Sequence, residues 1–154
     1  MTIAVGAQAP DFTLKDQNNQ DVQLASFAGR KAVLLVFYPL TFTGTCLGEL
    51  GGIQASLADF QNDQVQVLAV SVDSVYSHKV WALQQSFEFP LLADFWPHGG
   101  VAAEYAVFNA SAGFANRGTF LIDAGGVVRF AEEVGPGESR DLDRWREAIG
   151  ALAA

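Results

Sequence analysis

Cysteine occurs once in the 154 residues, at position 46. A single thiol excludes an intrachain disulfide framework, a Cys-x-x-Cys redox pair and a thiolate cluster for zinc or iron–sulfur chemistry. Histidine is nearly as scarce. His78 and His98 share no ligand spacing, so each is expected at the surface or at a helix end, not on a metal. Basic side chains number nine against seventeen acidic ones, a formal charge of −8. They are scattered, with no stripe able to follow a phosphate backbone, which argues against nucleic acid as a partner. No apolar run approaches the ~20 residues of a membrane helix. The start "MTIAVGAQAPDF" lacks the basic opening and compact apolar core of a secretory signal. Internal repeats, low-complexity tracts and linkers are missing as well. The expectation is one cytoplasmic domain, residues 1–154, without membrane association.

Apolar material is plentiful: 50% of the residues are hydrophobic, including twelve Phe and three Trp. "DFTL" and "DVQL" alternate apolar and polar around the turn-forming "KDQNNQ" and predict a small hairpin. "KAVLLVFY" (31–38) is almost continuously apolar, the mark of a strand covered on both faces. In "TCLGELGGIQASLADF", Cys46, Leu50, Ile53, Leu57 and Phe60 recur at three- or four-residue steps and predict a helix, weakened by Gly48, Gly51 and Gly52. "QVQVLAVSV" (64–72) reads as a second buried strand, with Asp73 behind it as a turn or cap residue. The helix predicted over 74–87 has Ser74 as N-cap and Val80, Leu83 and Phe87 on one face. A short strand (89–94), a short helix in "HGGVAAEYAV", a hairpin over 118–134 turning at "DAGG" and a closing helix follow. That last helix should turn Leu142, Trp145, Ile149 and Leu152 inward. Strand–helix–strand–helix followed by strand–strand–helix describes a thioredoxin-like α/β fold. It has a central mixed β-sheet flanked by helices, with an N-terminal β-hairpin extension.

In such sheets ligands gather where parallel strands end and helices begin. Cys46 stands there, in the first turn of the helix after strand 31–38. Free backbone amides and the positive end of the helix dipole favour thiolate over thiol. A buried cysteine held for packing alone is the alternative. Pro39 ends the strand and can shield one side of a small pocket. Thr43 can bring its hydroxyl beside the sulfur, to donate to a thiolate or to hold an oxygen of a substrate; it also suits a helix N-cap. Gly44 lets the loop turn tightly between them.

"PLTFTGTC" fits the Pro-x-x-x-Thr/Ser-x-x-Cys signature of the peroxiredoxins. "GAQAPDFTL" and "NRGTFLID" resemble that family too, so the resemblance runs from about residue 5 to about residue 135. "FTGTCLGEL", "FPLLADFWPHG" and "NRGTFLID" are most similar to its one-cysteine AhpE-type (alkyl hydroperoxide reductase E) subgroup of actinobacteria. The resemblance implies that Cys46 is the peroxidatic cysteine, shielded by Pro39, and that Thr43 hydrogen-bonds the peroxide. Arg117 becomes the cation beside the sulfur, and Glu49 the residue that orients that arginine. Arg117 has a logic of its own, since a guanidinium does not deprotonate and so holds a thiolate without acting as a base. A surface salt bridge for Arg117 and a solvated helix position for Glu49 are the alternatives. Trp96 and His98, in "DFWPHG", suit core packing as well as a pocket rim.

The implied function is a thiol-dependent peroxidase. It reduces hydrogen peroxide, alkyl or lipid hydroperoxides or peroxynitrite through a Cys46 sulfenic acid, with no metal, haem or other cofactor. A sulfenic acid condenses with a second thiol, and this chain contains none. The reductant is therefore external: a low-molecular-weight thiol such as mycothiol, or a mycoredoxin- or thioredoxin-like protein. A homodimer or higher homo-oligomer is implied as well. The aromatic neighbours Phe42, Phe95 and Trp96 favour organic peroxides. Two other functions fit the same residues, a peroxide sensor that passes oxidation to a client protein and a non-catalytic thioredoxin-like binding module.

Overall fold

The computed structural model describes residues 3–152. Strands β1 (Thr13–Lys15) and β2 (Asp21–Gln23) pair antiparallel with Leu14 opposite Val22. The Asp16 carboxylate closes the turn between them by accepting the amides of Asn18 and Gln20. A 3₁₀ turn, Leu24–Phe27, leads into β3 (Ala32–Phe37), whose six residues are all buried. Helix α1 (Gly44–Ala55) and the single turn α2 (Leu57–Phe60) bury the predicted stripe of Cys46, Leu50, Ile53 and Phe60. The stripe runs across an interruption at Ser56, so what reads as one helix is two.

Next come β4 (Val65–Ser71), α3 (Val75–Gln85), β5 (Leu91–Ala93) and α4 (Gly100–Glu104). Strands β6 (Phe108–Asn109) and β7 (Phe114–Ala115) make a small separate ladder, too short to leave a periodic signal in the sequence. Strands β8 (Arg117–Ile122) and β9 (Val128–Val134) form the predicted hairpin. Its "DAGG" turn is held by Asp123, which accepts the amides of Gly125 and Val127, while Gly126 takes φ +83°. Helix α5 (Leu142–Ala151) completes the chain; the part of the closing helix expected at 153–154 lies outside the described residues.

The main sheet has the order β2-β1-β5-β4-β3-β8-β9. Its centre, β5-β4-β3, is parallel; β8 joins β3 antiparallel and β9 follows. The N-terminal hairpin is attached at the opposite edge through one pair, Lys15 and Ala93. This is a mixed sheet flanked by helices, a thioredoxin-like fold. Alternate residues of β3 feed different layers. Leu34 and Val36 pack with Leu50, Trp81 and Trp145 from α1, α3 and α5, whereas Val33, Leu35 and Phe37 pack with Phe12, Val101 and Tyr105. Cover on both faces explains why the strand carries no polar residue. Gly118 is another requirement of close packing, since a Cβ there would stand 2.7 Å from Val107 Cγ1.

Helix α3 departs from expectation. Its inward residues are His78, Trp81 and Ala82, while Val80 and Leu83 are exposed. The large indole of Trp81 fixes the phase of the helix, and a residue three positions earlier must share its face. His78 is thus fully buried, not at a surface or helix end as expected. Phe87 is buried as anticipated, and Ser74 caps the helix by accepting the amide of Ser77.

Candidate active site

Strand β3 delivers the chain to Pro39, which is buried, and the loop 39–43 turns it into α1. Cys46 is the third residue of that helix and fully buried. The Leu47 amide donates to the Thr43 carbonyl at 2.9 Å. The amides of residues 44–46 precede the first helical hydrogen bond and have no partner within the helix.

Arg117, the first residue of β8, sends its guanidinium across to the sulfur. Nη2 donates to Cys46 Sγ at 3.2 Å, Nη1 to Glu49 Oε1 at 2.6 Å, and Nε to the Pro136 carbonyl at 2.8 Å. Three acceptors therefore fix its plane. Glu49, one turn after Cys46, is buried as well and serves a second cation. Arg140 donates to it from its backbone amide (2.8 Å), from Nε (3.1 Å) and from Nη2 (2.8 Å). The remaining Nη1 of Arg140 reaches the carbonyls of Phe37 and Gly118 and the Thr119 hydroxyl.

Burial by itself would raise the Glu49 carboxyl. The hydrogen bonds and charge of Arg140, and then the charge of Arg117, outweigh burial and hold Glu49 below the usual carboxylate range. Burial pulls the Arg140 guanidinium down while its bonds to Glu49 pull it up. With so many donors committed to carboxylate and carbonyl oxygens, both partners stay charged. Two guanidiniums then face one carboxylate in a water-poor site. The surplus is one positive charge, and Arg117 directs it at the sulfur of Cys46. The cluster is thus suited to an anionic sulfur and to negative charge developing next to it.

A family model described as "AhpC/TSA family" matches residues 5–131. The chain belongs to this family, the peroxiredoxins. It is similar to alkyl hydroperoxide reductase E of Mycobacterium tuberculosis, 56% identical over 150 residues that cover 97% of this chain and 98% of that protein. It is also 32% identical over 158 residues to the chloroplastic 2-Cys peroxiredoxin BAS1 of Hordeum vulgare, covering 96% of this chain and 74% of the relative. Among solved structures, the reduced 2-Cys peroxiredoxin of Plasmodium vivax superposes with a TM-score of 0.87 at 31% identity, covering 97% and 81% of the two chains. This peroxiredoxin is accordingly a thiol-dependent peroxidase, and with a single cysteine it is of the one-cysteine type.

Of the residues expected in the site, Cys46, Arg117 and Glu49 are brought into contact. Arg117 is 2% exposed, which removes the surface salt bridge as its role, and Glu49 is no solvated helix residue. Thr43 takes up neither a capping bond nor donation to the sulfur. It occupies the N-cap position but caps no amide, and its hydroxyl donates to the Leu40 carbonyl at 2.7 Å, not to the sulfur. Trp96 and Phe95 are exposed and belong to no core, while His98 is exposed and bonded to the Gly113 carbonyl. Phe42, exposed too, has its ring 6.1 Å from that of Trp81.

Arg140 was not foreseen. Its only sequence signal is a cation just before the last helix, and nothing in the spacing connects position 140 with position 49. A cleft of the fold lies away from the thiol. It measures about 770 Å³, lies at the other end of the sheet among Lys31, Gln64, Asp123, Arg129 and Ile149, and is lined by no cysteine. The chemistry follows the charge cluster, not that cleft. Among the described residues no helix is long and apolar enough to cross a membrane.

Proposed function

We propose that Cys46 is the peroxidatic cysteine of a cytoplasmic one-cysteine peroxiredoxin whose residues 1–154 act as one domain. The observation that carries this reading is the Arg117 guanidinium held 3.2 Å from the only thiol sulfur in the chain. The thiolate attacks the terminal oxygen of ROOH, the S–O bond forms as the O–O bond breaks, and Cys46 is oxidised to the sulfenic acid. The leaving alkoxide takes a proton and departs as ROH. Arg117 and the unpaired amides of the first turn of α1 stabilise the charge growing on the departing oxygen. Thr43 has committed its proton to Leu40, so its oxygen acts as an acceptor for the peroxide O–H and orients the substrate. Pro39 closes one side of the site, and Glu49, backed by Arg140, keeps Arg117 aimed at the sulfur.

Reduction comes from outside the chain. One thiol condenses with the sulfenic acid, releasing water and leaving a mixed disulfide; a second thiol then displaces Cys46 as the free thiol. Mycothiol, or a mycoredoxin- or thioredoxin-like protein, fits this need. The end of the sheet where β3, β4 and β5 finish exposes Phe42, Tyr76, Phe95 and Trp96. That apolar rim favours organic hydroperoxides and supplies a surface for a homodimer.

Rapid mixing of reduced protein with peroxide, followed by mass measurement, tests the assignment. One added oxygen on Cys46 is expected, lost in Cys46→Ser and slowed in Thr43→Val and Arg117→Ala. An unchanged mass after excess oxidant would remove it.

A further inference from the structure

A second polar cluster lies against the loop that carries the thiol, and the charge set around Cys46 does not use it. Asp73 Oδ2 accepts the Thr41 amide at 2.8 Å and the Ser71 hydroxyl at 2.6 Å. Ser71 has one proton and gives it to the carboxylate. Its 2.7 Å contact with His78 Nε2 must therefore be donated by the imidazole. His78 thus carries a proton on Nε2. The donors run in one direction, from His78 to Ser71 to Asp73, where the Thr41 amide meets them. Tyr38 and Thr41 add a hydroxyl pair at 3.0 Å. Burial lowers His78 to about 4, against opposing pulls from Asp73 and from the Leu91 backbone, so the imidazole is neutral at physiological pH.

The far end of the cluster is a strained loop. Phe42 has φ 70°, the left-handed region that a bulky side chain enters only when its neighbours hold it there. On one side of Phe42 the Thr41 amide is tied to Asp73; on the other the Thr43 hydroxyl is tied to Leu40. Asp73 does not cap α3, a task that falls to Ser74. Its bonds go to the active-site loop instead.

We propose that Asp73 is a positioning residue for the peroxidase reaction. Its Oδ2, locked by Ser71 and His78, clamps the Thr41 amide and so sets where Thr43 and the first amides of α1 meet a peroxide above Cys46. The clamp rests on the reading of Cys46 as the reacting thiol. It works through an acceptor oxygen, not through charge. Asn fits the same place: its amide oxygen takes both bonds and its NH₂ occupies the position of Oδ1, for which the structure shows no hydrogen bond.

The test compares wild type, Asp73→Ala and Asp73→Asn by three measurements. These are the rate constant for Cys46 oxidation by cumene hydroperoxide, the rate of alkylation by iodoacetamide, and amide hydrogen exchange over residues 39–46. Asp73→Ala is expected to slow peroxide oxidation about tenfold or more while alkylation stays within about twofold, because geometry and not thiol reactivity is lost. Exchange in the loop should accelerate. Asp73→Asn should rescue both the oxidation rate and the exchange protection. Equal losses in oxidation and alkylation would overturn the clamp, as would an Asn variant as slow as the Ala variant or loop exchange that does not change. The exchange measurement involves no peroxide, so it judges the clamp separately from the wild-type mass measurement that judges Cys46.

Discussion

The two polar clusters buried at this end of the sheet are built from different materials. Behind Cys46, Glu49 takes hydrogen bonds from Arg117 and Arg140, and its side-chain contacts all pair opposite formal charges. Around the preceding loop, Asp73 is the only charged member, and neutral donors from Ser71, His78 and Thr41 surround it. The ionic cluster has one cation more than its carboxylate can balance, and Arg117 directs that surplus at the sulfur. In the neutral cluster, hydrogen-bond directions are nearly all satisfied, and what it fixes is the path of the backbone. Charge and position are thus supplied by separate groups of residues.

Glu49→Ala is the severest way to break this division. It leaves two buried guanidiniums uncompensated and should cost about 3–5 kcal/mol of stability, measured by urea unfolding. Arg117→Ala removes the donor on the sulfur and should slow peroxide oxidation by about 10²- to 10³-fold, while Asp73→Ala costs less. Stopped-flow oxidation ranks the two.

Acid separates the clusters in another way. The folded value of His78, about 4, lies below its ordinary 6.5, so protons bind the unfolded chain more tightly. Stability is full above pH 6.5 and falls towards pH 4, by about 3 kcal/mol at the lower end. Thermal unfolding of His78→Gln should show a flatter profile across that window. Glu49, also lowered, contributes stability that is fully present above about pH 4.5 and is lost as pH drops through its folded value. Trp96→Ala is the mildest change. Stability should move by less than about 0.5 kcal/mol, since the side chain is 81% exposed. Sedimentation at two concentrations should nevertheless shift if the aromatic rim joins two copies.

The contrast also explains what was legible in the sequence. Both hairpins, the buried strands β3 and β4 and the stripe of α1 could be read because period and turn chemistry are local. Cys46 and Arg117 could be singled out because short motifs surround them. Arg140 could not, because its importance comes from a contact 91 positions away in sequence. His78 was placed at the surface because a polar side chain was weighed without Trp81, whose bulk turns that face of α3 inward. Thr43 was read from its distance along the chain to Cys46, and spacing does not reveal which oxygen a hydroxyl chooses. Strands β6 and β7, two residues each, are defined by their pairing and not by any pattern of their own.

Arg140 has one more consequence. It enters the site from the segment leading into α5, far along the chain from the helix that bears the thiol. A nascent polypeptide, or one clipped before that segment docks, carries the sulfur with only half of its cations. The charge set of the site is therefore complete only once the segment before α5 has docked.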